Sequence, residues 1–223
     1  MPMKASGLAS DADVTEWDGG FSWIAHPGEG LERSSHALGD GEDVWVVDPV
    51  DFDGLDDRLA EAGAVAGVVV LFDQHGRDAA AVARRHDVPV FVPAWLDRIA
   101  RRIDAPVERF DGQLGDTDYR AIRIPGLPLW QEAALFDGET LVVGESVGAG
   151  YHRRDGEKLG VHPVQSVLPP RKQLRGLDPE RVLTGHGMGV FVDAGGALAD
   201  ALAGARRRAP GASLRWSKRL LLG

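Results

Sequence analysis

The stretch VVVLFDQHGRDAAAVARRHDVPVFV (68–92) decides how this chain is read. Gly67 to Phe72 is β-branched and continuously apolar, the pattern of a strand buried on both faces. Asp73, His75, Arg77 and Asp78 then fall within six residues, before a helical segment over 77–86 and a second strand over 89–93. Ligands collect in loops beyond the carboxyl ends of strands, because a rigid sheet can aim several loops into one crevice. Two further strands end the same way: Thr140–Val143 runs into Gly144-Glu145-Ser146, and Arg181–Thr184 into Gly185-His186-Gly187.

Outward from these three strand ends, the pattern predicts a strand near 22–27 and a hairpin over 34–49 turned by Gly39-Asp40-Gly41. Leu55, Leu59 and Ala62 predict a helix over 53–62 with Gly63 as its C-cap. A helix near 95–103, strands at 107–110, 119–124 and 131–136, and a last helix over 193–208 follow. Strands outnumber helices, but helices are spread throughout, so the class is mixed α/β with helices outside sheets. Nothing marks a domain boundary, so one domain over 1–223 is expected, with residues 1–20 a loose N-terminal end.

Composition narrows the chemistry. There is no cysteine, which excludes disulfides, thiolate metal sites and cysteine nucleophiles. Any metal must therefore sit on His, Asp or Glu, a donor set suited to zinc, iron or manganese. No apolar run approaches the roughly 18 residues of a membrane span, and residues 1–20 lack the apolar core of a secretory signal. The cytoplasm is the expected location. A net charge of −9 makes nucleic acid an unlikely partner and leaves a small-molecule substrate or ligand as the expected one. The 23 Asp against 11 Glu, and 21 Arg against 4 Lys, match a salt-adapted surface; a GC-rich genome gives the same bias.

Taken in order, the motifs resemble the metallo-β-lactamase fold family over about residues 22–200. VWVVDP (44–49) is similar to its early strand ending in Asp, the 68–92 segment to its H-x-H-x-D-H signature, ETLVVGES (139–146) to the strand ending in Gly-Asp, and PERVLTGHGMGV (179–190) to the late strand ending in Gly-His-Gly. The resemblance implies a four-layer αββα sandwich and a metal-dependent hydrolase. It places Asp73 on the first His, His75 on the second, Arg77 on the Asp and Asp78 on the last His, with Leu127 and Glu145 in place of two further ligands. Only His75 and His186 match without change.

The implied set for one ion is therefore Asp73, His75, Glu145 and His186. Arg77 cannot deprotonate to become a ligand, so a second ion is not expected. Arg77 is expected instead to pair with Asp78 or Glu145 and to hold an anionic substrate group, while Asp78 or Glu145 acts as general base. The alternative is a protein that keeps the fold without metal or catalysis and serves as a ligand-binding or regulatory module.

Each of these residues also has an ordinary structural explanation. Asp73 and Asp78 suit a helix start. Leu127 is expected in the core, His36 on the surface, and His26 and His162 in turns before proline. His152 falls in the polar loop GAGYHRRDGEKLG, expected to be solvated, though it could supply Tyr151, Arg153 or Arg154 to a ligand. The basic tail from Arg215 to Arg219 and the leucines after it are expected to pack on the body.

Overall fold

The computed structural model describes residues 2–127 and 130–222, with side chains to residue 208. Seven strands form one sheet in sequence order: β1 (Asp13–Trp17), β2 (Gly20–Ile24), β3 (Ser34–Asp40), β4 (Asp43–Val47), β5 (Ala64–Val69), β6 (Val90–Pro93) and β7 (Val107–Phe110). The first four pair antiparallel, β1 with β2 and β3 with β4 through tight turns and β2 with β3 across the longer connection 25–33. The pairs from β4 to β7 are parallel, with α1 (Leu55–Ala62), α2 (Ala79–Arg85) and α3 (Asp97–Ala100) in the crossovers, as parallel neighbours require.

The second sheet has the order β13-β10-β9-β8. It comprises β8 (Arg120–Ile124), β9 (Glu132–Phe136), β10 (Thr140–Val143) and β13 (Arg181–Thr184), the last parallel to β10. Between them lie a short ladder of β11 (Val147–Gly148) with β12 (Gly160–Val161), a 3-10 turn at Pro163–Gln165, and α4 (Arg171–Leu174). Helix α5 (Ala194–Leu222) closes the chain.

Three apolar clusters show how the layers stack. Trp45, Val47, Val69, Leu71 and Phe91 of the first sheet meet Ala133, Leu135, Val142 and Leu183 of the second in a buried core between the sheets. On the outer face of the first sheet, Val46, Val68 and Val90 bury against Leu55, Leu59, Val82 and Ile99 of the helices. On the outer face of the second, Leu141, Val143 and Val182 bury against Leu198, Ala201 and Leu202 of α5. The αββα sandwich follows directly from strands apolar on both faces. Gly67 shows how tightly the middle is filled. A Cβ there would lie 2.6 Å from the Phe91 ring and 2.9 Å from Trp45, whose rings meet edge-on at 4.9 Å.

The amino-terminal stretch departs from the expected loose end. Val14 and Trp17 are half-buried against the core beneath β1, and that burial orders an edge strand. Residues 2–5 are also tied down: Gly30 and Leu31 donate backbone N–H bonds to Pro2 and Met3 (2.9 and 3.0 Å), and the buried Glu29 accepts from Ala5 (2.9 Å). Helix α5 runs on past the expected 208, and the expected packing of the tail's side chains lies outside the described residues. No helix among the described residues is long and apolar enough to cross a membrane.

Candidate metal centre

Four strand ends converge on one spot. Asp48 follows β4, the loop 73–78 follows β5 at a short remove, Glu145 follows β10 and His186 follows β13. The convergence depends on glycine. A Cβ on Gly185 would lie 2.0 Å from the Gly144 carbonyl oxygen and 2.8 Å from His75 Cε1, so any side chain would drive the β10 and β13 ends apart.

His75, Glu145 and His186 are all buried and offer ligand atoms within 4.8 Å of one another. One Glu145 oxygen, Oε2, lies 3.1 Å from His75 Nε2 and 2.9 Å from His186 Nε2. The other nitrogen of each ring is committed: His75 Nδ1 lies 2.8 Å from Asp48 Oδ2, and His186 Nδ1 lies 2.8 Å from the Leu31 carbonyl oxygen. A carbonyl or carboxylate oxygen can only accept, so each Nδ1 carries a proton; a neutral ring then turns its Nε2 lone pair toward Glu145, and a protonated ring donates to it. Two imidazole nitrogens and a carboxylate oxygen at such distances need a proton or a cation between them.

Other imidazoles show the opposite tautomer. His162 Nδ1 accepts from Val164 N (3.1 Å), leaving its Nε2–H toward Glu145 Oε1 at 3.5 Å. His152 Nε2 donates to the Glu145 carbonyl oxygen (2.8 Å), and its Nδ1 is buried with no hydrogen bond among the described residues. Tyr151 donates its hydroxyl to Glu145 Oε1 and stacks on His152 at 4.0 Å. Burial opposes ionisation of Glu145, but the surrounding imidazoles, His186 foremost, hold its pKa well below the usual carboxylate range. Burial also lowers His75, as does Arg77, but Asp48 and Glu145 outweigh both and raise its pKa. Burial dominates at His186, which is lowered, and at His162, lowered to about 3.

Arg77 is placed differently from expectation. It makes no ion pair with Asp78 or Glu145 among the described residues. Its guanidinium donates to three backbone carbonyls instead, Ser34 (2.6 Å), Asp48 (2.8 Å) and Gly185 (2.7 Å). Its backbone is left-handed (φ 37), a strained conformation for a side-chain-bearing residue, and those bonds hold it there. Nη2 also lies 3.5 Å from His75 Nε2, which puts a fixed positive charge beside the cluster.

The structure does not bring Asp73 or Asp78 into this group. Asp73 is buried but turns to pair with Arg98, and burial raises its pKa against the pull of Arg98 and Arg102. Asp78 accepts from Asp51 N (2.9 Å) on the far side of the loop. Leu127 is 53% exposed at the rim of the site, not in the core. His36 and His152 are buried, not solvated, because each finds hydrogen-bond partners far away in sequence or across its loop. Asp48 is legible only as the acid ending an apolar strand, with no sign of its bond to His75, and Glu132, a possible substitute ligand from its place near Trp130, lies outside the His-Glu-His group.

Above the cluster lies a cleft of ≈ 450 Å³. Leu31, Phe72, Leu127, Trp130 and Val164 form its apolar sides and Lys4 stands at its edge. Phe72 and Trp130 rings meet at 4.9 Å, and Trp130 packs on His162 at 5.1 Å. Polar groups converging at the bottom of an apolar cleft are the usual build of a small-molecule site.

No family model and no curated relative matches the sequence. Solved structures do. The metallo-β-lactamase DIM-1 superposes with a TM-score of 0.63 at 12% identity, over 89% of this chain and 100% of that one. A metallo-β-lactamase from Hirschia baltica gives 0.58 at 12%, over 87% and 97%. The enzyme FIM-1 from Pseudomonas aeruginosa, in its mono-zinc form, gives 0.55 at 11%, over 91% and 99%. Together with two facing sheets, helices on both outer faces and a His-Glu-His cluster at their strand ends, these matches identify the chain as having the metallo-β-lactamase fold.

Proposed function

We propose that the protein is a hydrolase that holds one divalent ion on His75, Glu145 and His186, a degenerate form of the site its fold usually carries. One observation carries this reading: two imidazole Nε2 atoms, each with its Nδ1 already committed as a donor, converge on one carboxylate oxygen. A proton can relieve one such contact, whereas a divalent cation relieves both. The nitrogen and oxygen donors suit zinc, iron or manganese. Asp48, bonded to His75 Nδ1, and the Leu31 carbonyl, bonded to His186 Nδ1, are the outer partners that orient metal-binding imidazoles.

A bound divalent ion supplies Lewis acidity, acidifying water and polarising a carbonyl or phosphoryl oxygen. The chain's own groups do the rest. Arg77 adds a fixed positive charge where a second ion would be repelled, which favours a mononuclear centre. Tyr151 holds Glu145 Oε1, so that Oε2 alone faces the two imidazoles. The apolar sides receive the non-reacting part of a small substrate and exclude water around the reacting bond. Asp73 and Asp78 have no part in this reading, since they point elsewhere.

The test is metal content by elemental mass spectrometry after purification without chelator or metal-affinity tag. About one ion per chain, absent from the His75→Ala/His186→Ala double variant, supports the proposal and directs a screen of esters and phosphodiesters. A metal-free wild type that takes up none on dialysis against zinc, iron or manganese refutes it. The protein would then be a ligand-binding or regulatory module whose His75–Glu145 contact is bridged by a proton.

A further inference from the structure

We propose that Glu132 is a positioning residue that braces the ion-binding Glu145 and the Trp130 side of the cleft through one carboxylate; the first half rests on the reading of Glu145 as a ligand. Glu132 opens β9, whose next three residues, Ala133, Ala134 and Leu135, are buried and apolar, and it is itself 0% exposed. An acid in such a place costs free energy unless strong partners meet it. Glu132 forms no ion pair among the described residues. Its Oε1 accepts two consecutive backbone N–H groups, from Glu145 and Ser146, at 2.8 Å each. Its Oε2 accepts the Trp130 indole N–H at 2.7 Å.

Two successive N–H groups aimed at one oxygen fix the backbone where the chain leaves β10. That is the point from which the Glu145 side chain must reach His75 and His186. The ladder of β10 ends at Val143, so no sheet hydrogen bond performs this task at Glu145. The second oxygen holds the ring that packs on Phe72 and His162. A neutral amide cannot replace the carboxylate, because Gln has one accepting oxygen and its NH₂ would face an N–H donor. These bonds favour the ionised carboxylate and are stronger than neutral ones, working against burial, which pushes the Glu132 pKa up to about 7.

The test uses Glu132→Gln and, in case that variant does not fold, Glu132→Asp, which keeps the charge but withdraws it by one methylene. Two quantities are read on the full chain: amide hydrogen exchange in chelated protein, and zinc affinity by competition with a chromophoric chelator. Exchange at Glu145 and Ser146 should rise at least about tenfold while Leu141–Val143 stay protected, and zinc affinity should fall about 10–100-fold, as when an outer partner of a metal ligand is lost. Unchanged exchange at those two amides overturns the brace, and raised exchange with unchanged zinc affinity overturns its action on the ligand. Loss of protection throughout β10 in both variants overturns it in favour of a plain core role. If wild type binds no zinc, the ion site fails on its own account, and the exchange result still decides the brace.

Discussion

Replacing His36 by Gln isolates one buried titration and its contribution to acid stability. His36 is 1% exposed; its Nδ1 lies 2.6 Å from Ser22 Oγ and its Nε2 3.1 Å from the Thr184 carbonyl oxygen. The carbonyl must accept, so Nε2 carries the proton, Nδ1 takes the Ser22 hydroxyl, and the ring is neutral. Burial pushes its pKa from 6.5 down to about 4, with the Thr184 bond and the Asp48 charge opposing and Arg77 assisting. The unfolded chain therefore binds a proton more readily than the native one. Stability is intact above the ordinary value of 6.5, declines as pH falls through that window, and has lost this whole contribution below about 4. The difference amounts to about 3 kcal/mol in full and about 2 kcal/mol at about pH 5. Gln keeps the bond to Thr184 and cannot titrate. Urea unfolding of chelated protein at about pH 7 and about pH 5 should show wild type losing about 2 kcal/mol more than His36→Gln. Equal losses in the two proteins, or a His36 ring that titrates near its ordinary value by NMR, would refute the argument.

Other expectations are open to simpler measurements. Arg77→Met leaves three carbonyl acceptors without their donor and should cost about 3–5 kcal/mol in chemical unfolding; Arg77→Lys should recover only part, because an ammonium does not reproduce the planar fork. Stability equal to wild type in Arg77→Met would show that those bonds contribute nothing. Leu135→Ala, at the fully buried centre of the inter-sheet core, should cost about 2–5 kcal/mol by the same assay, and a loss below that range would mean that the sheets close over the gap. If the Asp-rich, Lys-poor surface is an adaptation to salt, the thermal midpoint should climb steeply between low and molar potassium chloride; a flat profile assigns the bias to genome composition.

The layers of this fold were readable because the strands betray themselves by local composition. Gly67–Phe72 is apolar on both faces, Gly63 ends a helix, and Gly185 sits where two strand ends touch. Edge strand β1 was not readable, because DVTEW mixes polar and apolar residues and only Val14 and Trp17 find the core. The site was half legible for a related reason. His75, Glu145 and His186 each follow a strand end, which a linear reading can see. The orientation of neighbouring side chains depends on partners no local pattern announces: Arg98 draws Asp73 away, and the Asp51 amide takes Asp78. Arg77, at positive φ, gives its guanidinium to backbone carbonyls instead of carboxylates. His162 looked like a turn residue before proline, which it is, since it caps the 3-10 turn; the same bond to Val164 N fixes the tautomer that presents Nε2–H to Glu145.

The tautomers are what separate ligand from bystander here. Five polar side chains reach the Glu145 carboxylate: His75, His186, His152, His162 and Tyr151. Tyr151 and His162 bring hydrogens to Oε1, and His152 spends its hydrogen on the backbone carbonyl of the same residue. His75 and His186 both bring Nε2 to Oε2 with Nδ1 already committed, so as neutral rings they bring it lone pairs. The carboxylate is thus divided into a side already satisfied by the protein and a side that asks for a cation. A purely structural cluster would gain by reversing either ring, since an Nε2–H on His75 or His186 would bond Oε2 directly. Asp48 and the Leu31 carbonyl prevent that reversal in the neutral rings. The outer partners therefore argue for the ion as much as the ligands do. Removing Asp48's carboxylate with Asp48→Asn should weaken zinc binding about 10–100-fold even though Asp48 never touches the ion. Zinc binding as tight in Asp48→Asn as in wild type would mean that the tautomer of His75 is set by something other than its outer partner, and the division of the carboxylate would lose its cause.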